Sequence, residues 1–268
     1  MLYKRRADHG GVTDQLEKPA STRTGTTTAA IVLAVVVWAS AFVAIRAVGH
    51  SLSPAPLALL RLGVAAVALT VIAVARGVRV RLSRTSFLLV SAYAVLWLAG
   101  YTVALNAGER HVDAGTAAML VNLAPLIVAF AAGRLLGEGY SRPLIVGALV
   151  SLAGTVIIAL GATVRRDVPG VLLCLLAAAL YAAGVLIQKR TLRDVDGLTA
   201  IWLGCVVATV VLLPWAPQLV GELRVAPTGA VLGAVYLGVF PTAYGLVGGA
   251  ICLLGVAISR RRSRQAAA

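Results

Sequence analysis

Residues 236–262 read YLGVFPTAYGLVGGAICLLGVAISRRR. They belong to a run from Thr228 to Ile258 that holds no charged residue. As one straight helix this run would be about 46 Å long, at roughly 1.5 Å per residue. The hydrocarbon core of a bilayer is only about 30 Å thick, and two ordinary spans with a turn would take about 45 residues. The run is too long for one crossing and too short for two. How it is read decides the number of spans and the side on which the chain ends.

The composition places the whole chain in a membrane. Of 268 residues, 60% are hydrophobic and 13% charged, with a mean hydropathy of +0.92. A soluble domain carries nearly twice that charge. The expected class is all-α: a polytopic membrane helix bundle in contact with lipid. The net charge of +14 does not point to nucleic acid, because the basic residues form short clusters between apolar runs. Such clusters are what membrane orientation requires. Cys174, Cys205 and Cys252 all lie inside apolar runs without C-x-x-C spacing, and His9, His50 and His111 are scattered. No disulfide framework, metal site or cofactor is indicated. An intramembrane enzyme is disfavoured, since there is no H-E-x-x-H, G-x-S-x-G or P-loop and no pair of acids inside the spans.

Apolar runs fall at about 29–48, 55–75, 86–107, 114–135, 143–162, 169–188, 198–215 and 228–258. Residues 1–28 read as a disordered cytoplasmic tail. Ala39-Ser40-Ala41 resembles a cleavage site but sits inside the first span, which reads as retained. With the N-terminus inside, the inner segments carry 18 Lys or Arg and the outer connectors 5. That bias sets the orientation, and it places the tail at 259–268 inside as well. Both termini are therefore expected in the cytoplasm, with the chain in the cell (inner) membrane.

The two halves share an order of motifs. LLRLG (59–63) aligns with AIWLG (200–204), and YAVLWLAGY (93–101) with YLGVFPTAY (236–244). VGALVSLAGTVI (146–157) aligns with VGGAICLLGVAI (247–258). Internal duplication of this kind is common in transporters. In the first half 44 residues separate Tyr101 from Val146, whereas 2 separate Tyr244 from Val247. The second half is short by 42 residues. The opening stretch thus reads as a hybrid span: the front of one helix joined to the body of the next but one.

The motifs W-A-S-A-F-V-A-I-R (38–46), P-x-x-L-x-L-L-R (54–61), N-L-A-P-L-I (122–127), L-L-G-E (135–138) and Y-L-G-V-F-P-T-A (236–243) resemble the EamA family of drug/metabolite transporters. The resemblance implies two inverted five-helix repeats around a central cavity. It implies movement of small metabolites such as amino acids or drug-like compounds, often outward, driven by gradients rather than ATP. Here the second repeat is incomplete, giving about eight spans instead of ten. The first repeat occupies 29–162 with five spans and the second 163–258 with about three. A transport-deficient remnant or an accessory membrane protein keeping the scaffold is the alternative reading.

Candidate substrate-binding residues are Trp38, Arg61, Trp97, Tyr101, Asn122, Tyr181 and Tyr244. Arg61 is the informative charge, because a charge inside a span is costly. It reads either as a partner for an anionic group or as an arginine snorkelling to the surface. Tyr93, Trp97 and Tyr101 recur every four residues and could line a cavity or simply pack. Asn122 stands three residues before Pro125, where the proline frees a carbonyl; its carboxamide suits a polar ligand or an interhelical hydrogen bond. Gly147, Gly154, Gly248 and Gly255 make small-residue faces for close helix packing, within the chain or in a homodimer. The expected partners are a small-molecule substrate and the lipid bilayer.

Overall fold

The computed structural model describes residues 39–80, 82–135 and 167–239, together with single positions at 36, 146, 147, 150 and 153. All regular structure among these residues is helical. In chain order the helices are α1 (Ala39–Val48), α2 (Pro54–Ala75), α3 (Arg84–Gly108), α4 (Ala114–Val121), α5 (Ala124–Leu135), α6 (Val168–Thr191), α7 (Gly197–Val225) and α8 (Thr228–Val239). Among the described residues, α2, α3, α6 and α7 are long and apolar enough to cross a bilayer. At about 1.5 Å per residue, the 22 residues of α2 reach about 33 Å, which matches the hydrocarbon thickness. The chain is an all-helical membrane bundle.

The helix boundaries follow local chemistry. Pro54 opens α2, where its missing N–H costs nothing. Ser83, Asp113 and Asp196 cap α3, α4 and α7, each accepting the backbone N–H three residues on at 2.9–3.0 Å. α4 and α5 are one apolar stretch broken at Asn122-Leu123, as the proline at 125 dictates. The connector expected at 216–227 is instead largely helical. Pro214 and Pro217 sit at the start of new helical turns, where proline restarts a helix rather than ending it. Residues 94–101 of α3 are wound as a π-helix, a form that often marks functional sites.

Two antiparallel seams hold the bundle. α2 packs along α7: Gly63 faces Thr209, and the Trp202 indole donates to the Thr70 hydroxyl at 2.8 Å. These are the helices that carry the aligned LLRLG and AIWLG motifs. α3 packs along α6, with Trp97 against Gly184, Leu180 against Gly100 and Cys174 against Gly108. The outward surface is apolar, with Val67, Val71, Val74, Leu88, Leu172 and Val210 all exposed. In a bilayer that surface is solvated by lipid. Association then rests on close packing and interhelical hydrogen bonds instead of the hydrophobic effect. The Tyr93 hydroxyl, donating to the Ala200 carbonyl, is one such bond.

Gly184 is the tightest point of the second seam. A Cβ there would meet the Trp97 side chain and stand 3.2 Å from the Trp97 Cα. Backbone cannot yield as a side-chain tip can. Gly184→Ala is expected to cost about 1–3 kcal/mol, the usual penalty for overpacking. Gly197→Ala, at a position with nothing within 4 Å, should be neutral or stabilising by up to about 1 kcal/mol. Thermal midpoints of the detergent-purified variants test this, and equal midpoints would disprove the close approach.

Candidate functional site

The connectors 49–53 and 109–113, with Asp167 and Glu222, gather at one end of the bundle. The Ser53 N–H donates to the Glu222 carboxylate at 2.8 Å. Arg46 donates to the carbonyls of Glu109 at 3.3 Å and Val112 at 2.5 Å. His111 meets Asp167 at 2.8 Å. Polar groups converge just beneath this end. The Arg61 guanidinium donates to the Asn106 side-chain oxygen at 3.3 Å, and the Asn106 amide donates to the Pro54 carbonyl at 3.0 Å. Asn106 and Glu109 are each only 2% exposed.

Glu109 is the anomaly of this cluster. Neither of its carboxylate oxygens has a hydrogen-bond partner among the described residues. Buried polar groups are almost always paired, so the exception asks for an explanation. Burial pushes the Glu109 carboxyl up to about 8, against the opposing pull of the Arg61 and Arg46 guanidiniums. Glu109 borders a cavity of about 150 Å³ together with Ile45, Arg46, His50, Asn106 and Arg110.

Deeper in the bundle lies an aromatic ladder. The Tyr181 ring stands edge-on to Trp97 at 5.2 Å and to Tyr101 at 5.6 Å between centroids. Tyr93 is wholly buried, 6.5 Å from the Trp97 ring. Trp97, Tyr101 and Tyr181 remain half-buried. Tyr101 also lies within electrostatic reach of Arg61 and Glu109. The structure therefore brings together Arg61, Trp97, Tyr101 and Tyr181 of the residues singled out from sequence. Asn122 is exposed at the α4–α5 break, where no hydrogen bond joins it to this group. Gly147 is exposed, and a Cβ there would meet nothing within 4 Å. Trp38, Tyr244, Gly154, Gly248 and Gly255 lie outside the described residues.

Sequence reasoning passed over Asn106 and Glu109. The four-residue spacing of Tyr93, Trp97 and Tyr101 continues through Leu105 to Glu109, and that continuation was the available signal. Among the described residues no group of three His, Cys, Asp or Glu could hold a metal. The arrangement offers rings for an apolar body, then an arginine, a carboxamide and an unpartnered carboxylate for polar groups.

The sequence profile of the EamA-like transporter family matches residues 26–160 and again 168–253. The chain belongs to this family. Its EamA relatives include a "Probable terminal-alkyne amino-acid exporter" of Streptantibioticus cattleyicolor, 37% identical over 86% of this chain and 78% of that protein. The "Uncharacterized transporter YdfC" of Bacillus subtilis is 33% identical over 76% of this chain and 67% of its own length. An "Uncharacterized transporter" of Archaeoglobus fulgidus is 27% identical over 81% and 77%. A solved crystal structure shares the fold at a TM-score of 0.55 and 19% identity, covering 79% of this chain and 76% of the other. The EamA chain is a multi-pass membrane protein of a transporter family, and its named relatives are transporters or exporters rather than enzymes.

Proposed function

We propose that the chain is a secondary-active exporter of small organic metabolites such as amino acids, built as two inverted repeats at 29–162 and 163–258. It sits in the cell membrane with both termini cytoplasmic. The observation that carries this reading is the Arg61–Asn106–Glu109 cluster beside the Trp97–Tyr181–Tyr101 ladder, enclosed in an otherwise apolar bundle. Intramembrane polar groups are expensive and mark substrate pathways by default. The cluster lies at the end that the basic-residue bias turns outward. The Streptantibioticus relative is named as a probable exporter of a terminal-alkyne amino acid.

The second reading is a scaffold that transports poorly or not at all. The shorter second family match, 168–253 against 26–160, favours it. Efflux from loaded vesicles separates the two, with a panel of amino acids, nucleosides, sugars and toxic analogues. Saturable efflux of one class above empty vesicles supports the exporter. No efflux of any class supports the scaffold.

A further inference from the structure

We propose that the cavity at Glu109 binds the zwitterionic head group of a small α-amino acid, with Glu109 accepting its ammonium. The proposal rests on the transporter reading for its physiological meaning and stands on the following geometry. Glu109 is buried, borders the cavity and has both oxygens unpartnered. The guanidiniums nearest to it are engaged elsewhere. Arg46 is spent on the carbonyls of Glu109 and Val112, and Arg61 on Asn106. The carboxylate therefore lacks a donor although cations surround it.

A simple amine would supply the donor but would meet Arg46, Arg61 and Arg110 as like charges. A simple carboxylate would answer the arginines but would face Glu109. A zwitterion presents both signs on adjacent atoms and carries no net charge. Its ammonium meets Glu109, and its carboxylate turns toward Arg110 or His50 at the rim. The cavity, about 150 Å³, has room for about five waters at about 30 Å³ each. That fits a molecule of half a dozen heavy atoms. A longer side chain would have to extend toward the ladder of Tyr101, Tyr181 and Trp97.

A pH dependence follows. Burial holds the Glu109 carboxyl near 8, so at neutral pH it carries a proton that the ammonium must displace. Affinity should fall about tenfold for each pH unit below about 8. The groups around Glu109 are Arg46, His50, Arg61, Tyr101, Arg110 and Cys174. His50 is the one imidazole among them. The slope is therefore assigned by the Glu109 variant and not by pH alone.

Binding of labelled L-alanine, ethylamine and propionate to the full chain in nanodiscs, read above about pH 8 where Glu109 is ionised, tests the site. Alanine should bind at least tenfold more tightly than either analogue. Glu109→Gln should lose alanine binding at least tenfold and flatten its pH dependence. Glu109→Asp should recover part of both, and Glu109→Gln should bind propionate more tightly than the unmodified chain does, since it removes the charge that propionate faces. Propionate as good as alanine, or Glu109→Gln with alanine affinity intact, would overturn the assignment. Efflux of some solute with no Glu109-dependent alanine binding would overturn this site and leave the exporter standing. Glu109-dependent alanine binding without efflux of any solute would uphold the site and defeat the exporter.

Discussion

Arg61→Met is expected to cut efflux at least tenfold while leaving the protein folded in the membrane. The side chain sits at the start of the third turn of α2 and donates to the buried Asn106. A hydrogen bond from a charged donor is worth about 1.5–3 kcal/mol, and its loss leaves the Asn106 oxygen unpaired. The same substitution removes an intramembrane charge that costs about 2.5–3.5 kcal/mol to insert. The two terms nearly cancel for stability and do not cancel for function, because only the arginine polarises the cluster beside Glu109 and Tyr101. Arg61→Lys keeps the charge without the planar fork and should fall between the two. The measurement is the initial efflux rate per unit of protein in vesicles, with the thermal midpoint read on the same preparations. A methionine variant exporting at the unmodified rate would reduce Arg61 to a snorkelling residue.

The bundle was legible because its helices are written in apolar runs of bilayer length. The runs at 55–75, 86–107, 169–188 and 198–215 correspond to α2, α3, α6 and the first part of α7. The site was half legible. Arg61 announces itself as a charge among Leu and Ala, and Trp97, Tyr101 and Tyr181 as rings on apolar helices. Glu109 does not, because GERHVDAG (108–115) looks like any polar connector. It becomes a site only once Arg46 draws the 109–112 carbonyls back over the helix ends and buries the carboxylate beneath. Hydropathy cannot show that fold-back, since it depends on a contact between residues more than sixty apart. The π-wound stretch AVLWLAGY was likewise silent, having no proline to mark it. The partners of the small residues were hidden for the same reason. Gly184 and Gly204 carry close helix contacts, and nothing in their own spans distinguishes them from Gly147.

Restoring the 42 residues that the second half lacks should raise efflux at least tenfold. The front of the opening stretch is already anchored. α8 packs Gly238 against the Arg61 carbonyl and Val64, and buries Ala234 and Leu237. The 12 residues of α8 reach about 18 Å, so roughly 12 Å of hydrocarbon remains to be crossed beyond Val239. Residues 240–258 lie outside the described residues. A hairpin turning at Tyr244-Gly245 would have arms of about 16 residues, short of a span, and would send Arg260, Arg261, Arg262 and Arg264 outward. On the topology proposed above, a single hybrid crossing would keep them inside, its surplus length taken up by tilt or by a kink at Pro241. Reporter fusions at residues 1 and 268 should then both read cytoplasmic, and an external reading at 268 would establish the hairpin. Such a crossing would leave the second repeat without its counterpart to N-L-A-P-L-I (122–127), and so one wall of the proposed pathway open. The counterpart segment from a relative with a longer second half, inserted after Tyr244, supplies that wall and returns the chain to ten crossings with both ends inside. Arg61→Met should abolish the gain, since the same cluster serves both forms. Unmodified chain exporting as fast as the lengthened one would show that eight crossings suffice and that the missing wall has no part in transport.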